Sequence, residues 1–277
     1  MILKSLTVWN LGSVDFFSHS FTDGLNTVGT LFTDEISYAI CTVMNSKAVD
    51  LCGSHLRIGS RIEAEIVIED RLYYVNVTRG ERRGRASLTA RDEGGSDVTG
   101  EYLHLTSHCD EHDLSGMYVD VKERIPSRLI RYMDEERYFA PGELSERTSG
   151  LSHMKSFRSY LRDFIRNFKS EPICPGKKYQ FLLSEDGSYV ASYTDCDGMP
   201  VLLSECESVL FRFLCALRTA EFWRGFEEMR NLNAVKKPFV IKGLLERIDE
   251  SLDIGYLLDR AVKINDQVIL LTSSREK

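Results

Sequence analysis

The residues with the most chemical promise sit early in the chain. A short run of β-formers, Leu25-Asn26-Thr27-Val28, leads into Gly29, and a helical pattern begins at Asp34. A strand ending in glycine, then a loop and a helix N-terminus, is the frame in which backbone amides hold a phosphate. Phosphoryl chemistry in that frame needs a lysine against the β/γ-phosphates and a Ser or Thr on Mg²⁺. No lysine lies between Gly29 and Ala39; that stretch carries Thr33, Asp34 and Glu35. The two carboxylates would repel a triphosphate. The frame of a phosphate site is present without the charge that makes it work.

Other groups have weaker chemical logic. His104, His108 and His112 recur at four-residue steps with Cys109 among them, a set able to ligate zinc from one helix face. Asp110, Glu111 and Asp113 make the same stretch an ordinary polar surface, and no metal or other cofactor is expected. Lys155, Arg158, Arg162, Arg166 and Lys169 form a basic stripe opposite apolar residues. Arg79, Arg82, Arg83 and Arg85 form a second basic cluster. Each reads either as a solvated face or as a contact for nucleic-acid phosphates or an acidic partner. No GxSxG or HExxH motif occurs. Asp249, Glu250 and Asp253 are a possible acid/base cluster, though such residues are more often surface charge.

Composition bounds what can position these residues. The chain has 277 residues, with 35 basic and 42 acidic side chains and a net charge of −7. That length suits one large α/β domain or two small ones. The acidic balance argues against a surface that grips nucleic acid throughout, while leaving room for a local basic patch. Seven scattered cysteines without a CxxC pair read as reduced, mostly buried thiols. No apolar run approaches the roughly 18 residues of a membrane span, and Met1–Ser13 lacks a signal-peptide core. A cytosolic or nuclear protein is expected.

Periodicity sets the expected elements. Ile2–Val8 and Leu11–Phe21 read as strands, with a turn at Thr22-Asp23-Gly24. Ile36, Ala39, Ile40, Val43 and Met44 have helical spacing. Residues 58–92 read as a β-meander: Ile62, Ala64, Ile66 and Ile68 alternate with charged residues, and a corner falls at Glu69-Asp70. Residues 92–100 read as a polar loop and 122–170 as helical. A hairpin is expected about Asp186-Gly187, then a long helix over 205–230, the strand Phe239-Val240-Ile241, helices over 244–249 and 254–262, and a doubly buried strand at Gln267–Thr272.

In this order the elements resemble the head domain of the ABC-type ATPases of the SMC and RecF group. The resemblance rests on Leu6 with Asn10-Leu11-Gly12-Ser13, on Gly24-Leu25-Asn26-Thr27-Val28-Gly29, and on Ala39-Ile40. Leu203-Ser204-Glu205-Cys206-Glu207 stands where that group has its Leu-Ser-Gly-Gly-Glu signature. Pro238–Ile241 stands at the Walker B strand, Leu245–Asp249 at the D-loop, and Gln267–Thr272 before the switch histidine. The resemblance implies an α/β, two-lobed head: a mixed-sheet lobe plus a helical lobe, with a short helical insertion replacing coiled-coil arms. One domain is expected over 1–277, with an N-terminal lobe at 1–115, the insertion at 116–175 and a C-terminal lobe at 176–277.

The resemblance also locates departures. Aligned on Ala39, Thr33 replaces the P-loop lysine and Asp34 the Ser/Thr, in a loop about three residues short. Lys242 and Gly243 stand where the Walker B Asp and the catalytic Glu belong, and Ser273 replaces the switch histidine. Ser204, Glu207 and Asp249 survive, although Ser204 and Glu207 also satisfy a helix capping box. These exchanges imply a degenerate head, a pseudo-ATPase acting as a binding or scaffold subunit. Its expected partner is an active ATPase head or a second copy of itself, in a complex acting on DNA. The rival expectations are an ATPase with a rebuilt nucleotide site, in which Lys242 supplies the phosphate-binding charge, and a direct nucleic-acid binder.

Overall fold

The structure is a computed structural model that describes residues 1–44, 56–79, 86–107, 118–120, 178–183, 189–194, 199–202, 209, 213, 217, 221, 235–248 and 254–273. The chain packs as two units. The first comprises Met1–Asp120, Asn233–Glu246 and Ser251–Lys277; the second comprises Val121–Leu232 and Arg247–Glu250.

The first unit holds two sheets. Strands β1 (Ile2–Leu11), β2 (Val14–Ser20), β4 (Leu56–Ile68), β5 (Arg71–Thr78) and β6 (Ser87–Arg91) form an antiparallel sheet in the order β2-β1-β4-β5-β6. Strand β3 (Gly24–Gly29) leaves it for a second sheet with β7 (Tyr118–Asp120), β11 (Phe239–Lys242) and β12 (Gln267–Thr272). That sheet is parallel, in the order β3-β12-β11-β7. Helix α1 (Thr33–Met44) follows β3, α2 (Thr99–Ser107) follows β6, and α3 (Gly255–Asn265) connects β11 to β12.

Alternation explains the antiparallel sheet. Leu3, Leu6 and Val8 of β1, Ile62, Ala64, Ile66 and Ile68 of β4, and Tyr73, Val75 and Val77 of β5 all turn inward and are buried. The residues alternating with them, mostly polar but with Trp9, Leu72 and Tyr74 among them, face the less buried side. Two tight turns fix its register. Gly12, with φ +57°, opens the β1–β2 turn, where an added Cβ would lie 2.7 Å from Glu35 Cγ. The β4–β5 corner places Glu69 and Asp70 at φ +49° and +64°, the twist of a type I′ turn without its usual glycine.

In the parallel sheet, every residue of β11 and β12 is buried, while β3 keeps an alternation that buries Asn26 and Val28. Helix α1 buries Ile36, Ala39, Ile40, Val43 and Met44 in one core with the antiparallel sheet, Val240, Ile269 and Leu271. Gln267 stitches the sheets together. Its Nε2 donates to the carbonyls of Leu3 and Thr22, and its Oε1 accepts the Leu3 N–H, each at 2.9 Å. It thereby serves the backbone beside the irregularity between Leu3 and Ser5 in the β1–β4 pairing.

In the second unit, β8 (Lys178–Leu183), β9 (Tyr189–Thr194) and β10 (Pro200–Leu202) form an antiparallel sheet, with Leu183 opposite Tyr189 in the expected hairpin. Val209, Phe213 and Leu217 are helical and buried at four-residue steps. Three sequence expectations are corrected. Residues 243–248 form bends and turns, since Gly243 takes φ +75° and ends regular structure. The polar stretch after β6 is already helical from Thr99, whose hydroxyl accepts the Ala90 N–H at 2.8 Å. Helix α3 extends to Asn265, ending where Asp266 adopts a left-handed conformation and donates to the Val262 carbonyl at 2.8 Å. The expected helices over 122–170 lie outside the described residues.

Candidate functional site

The four parallel strands run the same way, so their C-terminal ends share one edge. At that edge Gly29 on β3 is paired with Thr272 on β12, while Lys242 on β11, one residue earlier, is paired with Leu271 on β12 and with Asp120 on β7. The carboxyl edge of an open α/β sheet is where such folds bind ligands. The β3–α1 loop closes over this edge, and the Thr30 N–H donates to the Thr272 carbonyl at 2.9 Å. The Phe32 N–H donates to Thr30 Oγ1 at 3.2 Å. Two amides of the loop are therefore spent within the fold, where a phosphate cradle would aim them outward.

The first turn of α1 brings the two exchanged charges together. Lys242 is buried, with its side chain 10% exposed, and its Nζ ion-pairs with Asp34 Oδ1 on α1, whose side chain is 78% exposed. Strand β11 delivers the lysine from the core side, and the helix start delivers the aspartate from the solvent side. Glu35 points elsewhere: its Oε1 accepts the Ser13 N–H at 3.1 Å. Of the two carboxylates expected to repel a triphosphate, Asp34 is paired with Lys242 and Glu35 holds the β1–β2 turn.

Gly243 follows Lys242 with φ +75°, and its N–H donates to the Leu271 carbonyl at 3.0 Å. A side chain at this position would be strained. Ser273, just beyond β12, is held by Glu246, whose Oε1 accepts both the Ser273 N–H and its hydroxyl hydrogen. Glu246 is therefore a hydrogen-bond anchor for the end of β12.

An Mg-triphosphate in this frame would require a lysine on the phosphates and a Ser/Thr with an Asp on the metal. The residues at this edge do not fit it. Asp34 and Lys242 pair a carboxylate with an ammonium here. Thr33, at the start of α1, is 8% exposed.

The remaining sequence candidates are dispersed. Arg79 is half-buried, and its guanidinium donates to the Leu56 carbonyl, fastening the β4–β5 hairpin. His104 is exposed on α2. Among the described residues no group of three or more His, Cys, Asp or Glu side chains could hold a metal ion. Ser204, Glu207, Asp249, Arg82, Arg83, Arg85, Lys155, Arg158, Arg162, Arg166, Lys169, His108 and His112 lie outside the described residues. No described helix is long and apolar enough to cross a membrane. Sequence reasoning missed the pairing of Lys242 with Asp34 and the hold of Glu246 on Ser273. The signal for the first was available: two neighbouring positions of one site had departed from the family pattern with opposite charges.

A parallel sheet whose first strand leads through a short loop into a helix, with that helix packed against an antiparallel meander, is similar in fold to solved ABC-type ATPase heads of the SMC and RecF group. The Smc head bound to the C-winged-helix domain of ScpA matches with 14% identity over 99% of this chain and 90% of that chain, at a TM-score of 0.54. The recombination mediator protein RecF of the RecFOR pathway matches with 11% identity over 100% and 93%, at 0.50. A Smc head with an extended coiled coil, bound to the C-terminal domain of ScpA and derived from Pyrococcus furiosus, matches with 13% identity over 98% and 89%, at 0.50. The sequence matches no family profile and no curated protein.

Proposed function

We propose that this chain is a catalytically degenerate SMC/RecF-type head that works by contact, as a binding or scaffold subunit in the cytoplasm. One observation carries the reading: the buried Lys242 pairs with Asp34 at the edge where such a head would place Mg²⁺ and phosphate. Gly243 and Ser273 beside it supply neither a base for water nor an imidazole. The rival in which Lys242 binds a phosphate must first break the pair with Asp34 and bring a triphosphate up to that carboxylate. The proposed partner is a protein, either an active ATPase head or a second copy, within an assembly that acts on DNA. Two structural neighbours are Smc heads bound to domains of ScpA, which supports a protein partner for this fold.

Calorimetry with Mg-ATP and a steady-state phosphate-release assay test the reading. The expected result is no saturable heat at millimolar nucleotide and no turnover above buffer. Micromolar affinity, or turnover that a single substitution in this chain abolishes, would overturn it. Affinity capture should return an ATPase head or the chain itself; a chain that stays monomeric and captures neither would remove the scaffold role.

A further inference from the structure

We infer that the Lys242 ammonium is the permanent cation of this site, replacing inside the chain the divalent ion that the fold would otherwise recruit. The inference rests on the degenerate-head reading and deepens it. In nucleotide-binding heads of the P-loop type, the residue at the helix start and the residue ending the Walker B strand hold one Mg²⁺ between them. Here those two positions are Asp34 and Lys242, and the positive charge between α1 and β11 is covalently part of β11. An ammonium makes up to three hydrogen bonds and carries one charge, enough to hold one carboxylate but not a triphosphate. Burial of Lys242 sharpens the argument. A lysine side chain only 10% exposed would pay a desolvation penalty without a charged partner. The neighbouring backbone agrees with a fixed arrangement, since Gly243 N–H and Thr30 N–H both bond to β12 carbonyls. The α1–β11 junction is thereby joined in one state that needs neither nucleotide nor metal, while Asp34 remains 78% exposed on the outer side of the pair.

The test is thermal unfolding of the full chain without nucleotide, in EDTA and in millimolar Mg²⁺ or Mn²⁺. Wild-type protein should melt at the same temperature in all three. Lys242→Asp places two carboxylates face to face and should lower the midpoint by about 3 to 8 °C in EDTA. Divalent cation should restore at least half of that loss in this variant alone. Lys242→Met should lower the midpoint with little restoration. The exchange Asp34→Lys/Lys242→Asp should melt above Lys242→Asp in EDTA, and this comparison decides the matter if Lys242→Met fails to fold. A wild-type midpoint that rises with Mg²⁺ would overturn the inference. So would a Lys242→Asp loss that divalent ions leave unchanged, or a charge exchange that recovers nothing. These readouts are independent of nucleotide. ATP turnover by the wild type would sink the degenerate-head reading, whereas a metal-indifferent Lys242→Asp sinks only this one.

Discussion

The two sheets of the first unit obey different rules. The antiparallel sheet buries one face and shows the other to water, so every second residue is free to be polar. Its outer face carries Trp9 and Phe16 at 5.9 Å, with the Arg61 guanidinium 5.1 Å above the Trp9 ring. The parallel sheet buries both faces of β11 and β12, and only its C-terminal edge meets the site. Its interior, with Val240, Ile241, Val268, Ile269, Leu270 and Leu271, is what the head fold requires. Its edge carries Lys242, Gly243 and Ser273, the residues on which the proposed loss of catalysis rests. Packing and chemistry make separable demands on the same strands, and the buried interior answers the first.

Cutting into each sheet tests that separation. Ile269→Ala opens a cavity among side chains that are fully buried, and should cost about 2–5 kcal/mol in denaturant unfolding. Phe16→Ala removes a side chain that is 61% exposed, and should cost less than about 1 kcal/mol. Equal losses would mean that the meander's outer face is covered by something further. Gln267→Leu strikes the joint between the sheets. It removes the partner of the Leu3 N–H and one donor each from the carbonyls of Leu3 and Thr22, the latter keeping its bond from Asn26 Nδ2, and should cost about 2–4 kcal/mol in the same assay. A loss no larger than that of Phe16→Ala would show that the sheets hold together without it.

The tyrosines under the meander give a smaller effect, and one with a pH signature. Tyr102 is fully buried, and its hydroxyl donates to the Val43 carbonyl, one of the last carbonyls of α1. Burial pushes its pKa far above the ordinary tyrosine value. Tyr73 is raised too, first by burial and then by its hydrogen bond to Glu101 at 2.9 Å. Unfolded tyrosines lose their protons near pH 10, while the folded ones keep them. The native state then binds more protons than the unfolded state, so stability is intact below about pH 10 and falls as pH rises toward the folded values. Tyr102→Phe should cost about 1 kcal/mol at neutral pH and flatten that alkaline loss. An unchanged slope in stability above pH 10 would remove this account.

How much of this was legible varies with physical cause. Period-two alternation exposed the meander, because Ile62, Ala64, Ile66 and Ile68 must all face one core. The doubly buried β12 was legible from Val268-Ile269-Leu270-Leu271, and α1 from its spacing. The Glu69-Asp70 corner was legible by position only, since neither residue announces a left-handed backbone. The end of regular structure after Lys242 was not legible, because the apolar spacing of Leu244 and Ile248 looks helical while Gly243 has already turned the chain. The partner of Asp34 lies 208 residues away, a separation that no local pattern reports. The parallel sheet itself draws on β3, β7, β11 and β12 from three distant stretches. Their adjacency was expected only through the resemblance to known heads.

The smallest predicted effect makes the sharpest contrast, because it compares two aspartates at two helix starts. Asp97, before α2, accepts the Thr99 N–H at 2.9 Å and meets no buried lysine. Its hydrogen bonds to the Thr99 side chain and backbone pull its pKa below the ordinary 3.8. A folded pKa below the unfolded one means that the contribution is present above pH 3.8 and is lost as pH falls through the lower, folded value. Asp97→Asn should therefore lower amide-exchange protection at the start of α2 at neutral pH, and remove the further loss of protection on acidification. Exchange in α1 should not change. Asp34 lies inside the first turn of α1 and spends its charge on Lys242, so Asp34→Asn should loosen α1 and the end of β11 together. If Asp34→Asn instead loosens only the first turn of α1, as Asp97→Asn does for α2, then Asp34 is an ordinary helix-start carboxylate and the contrast between the meander and the sheet edge disappears.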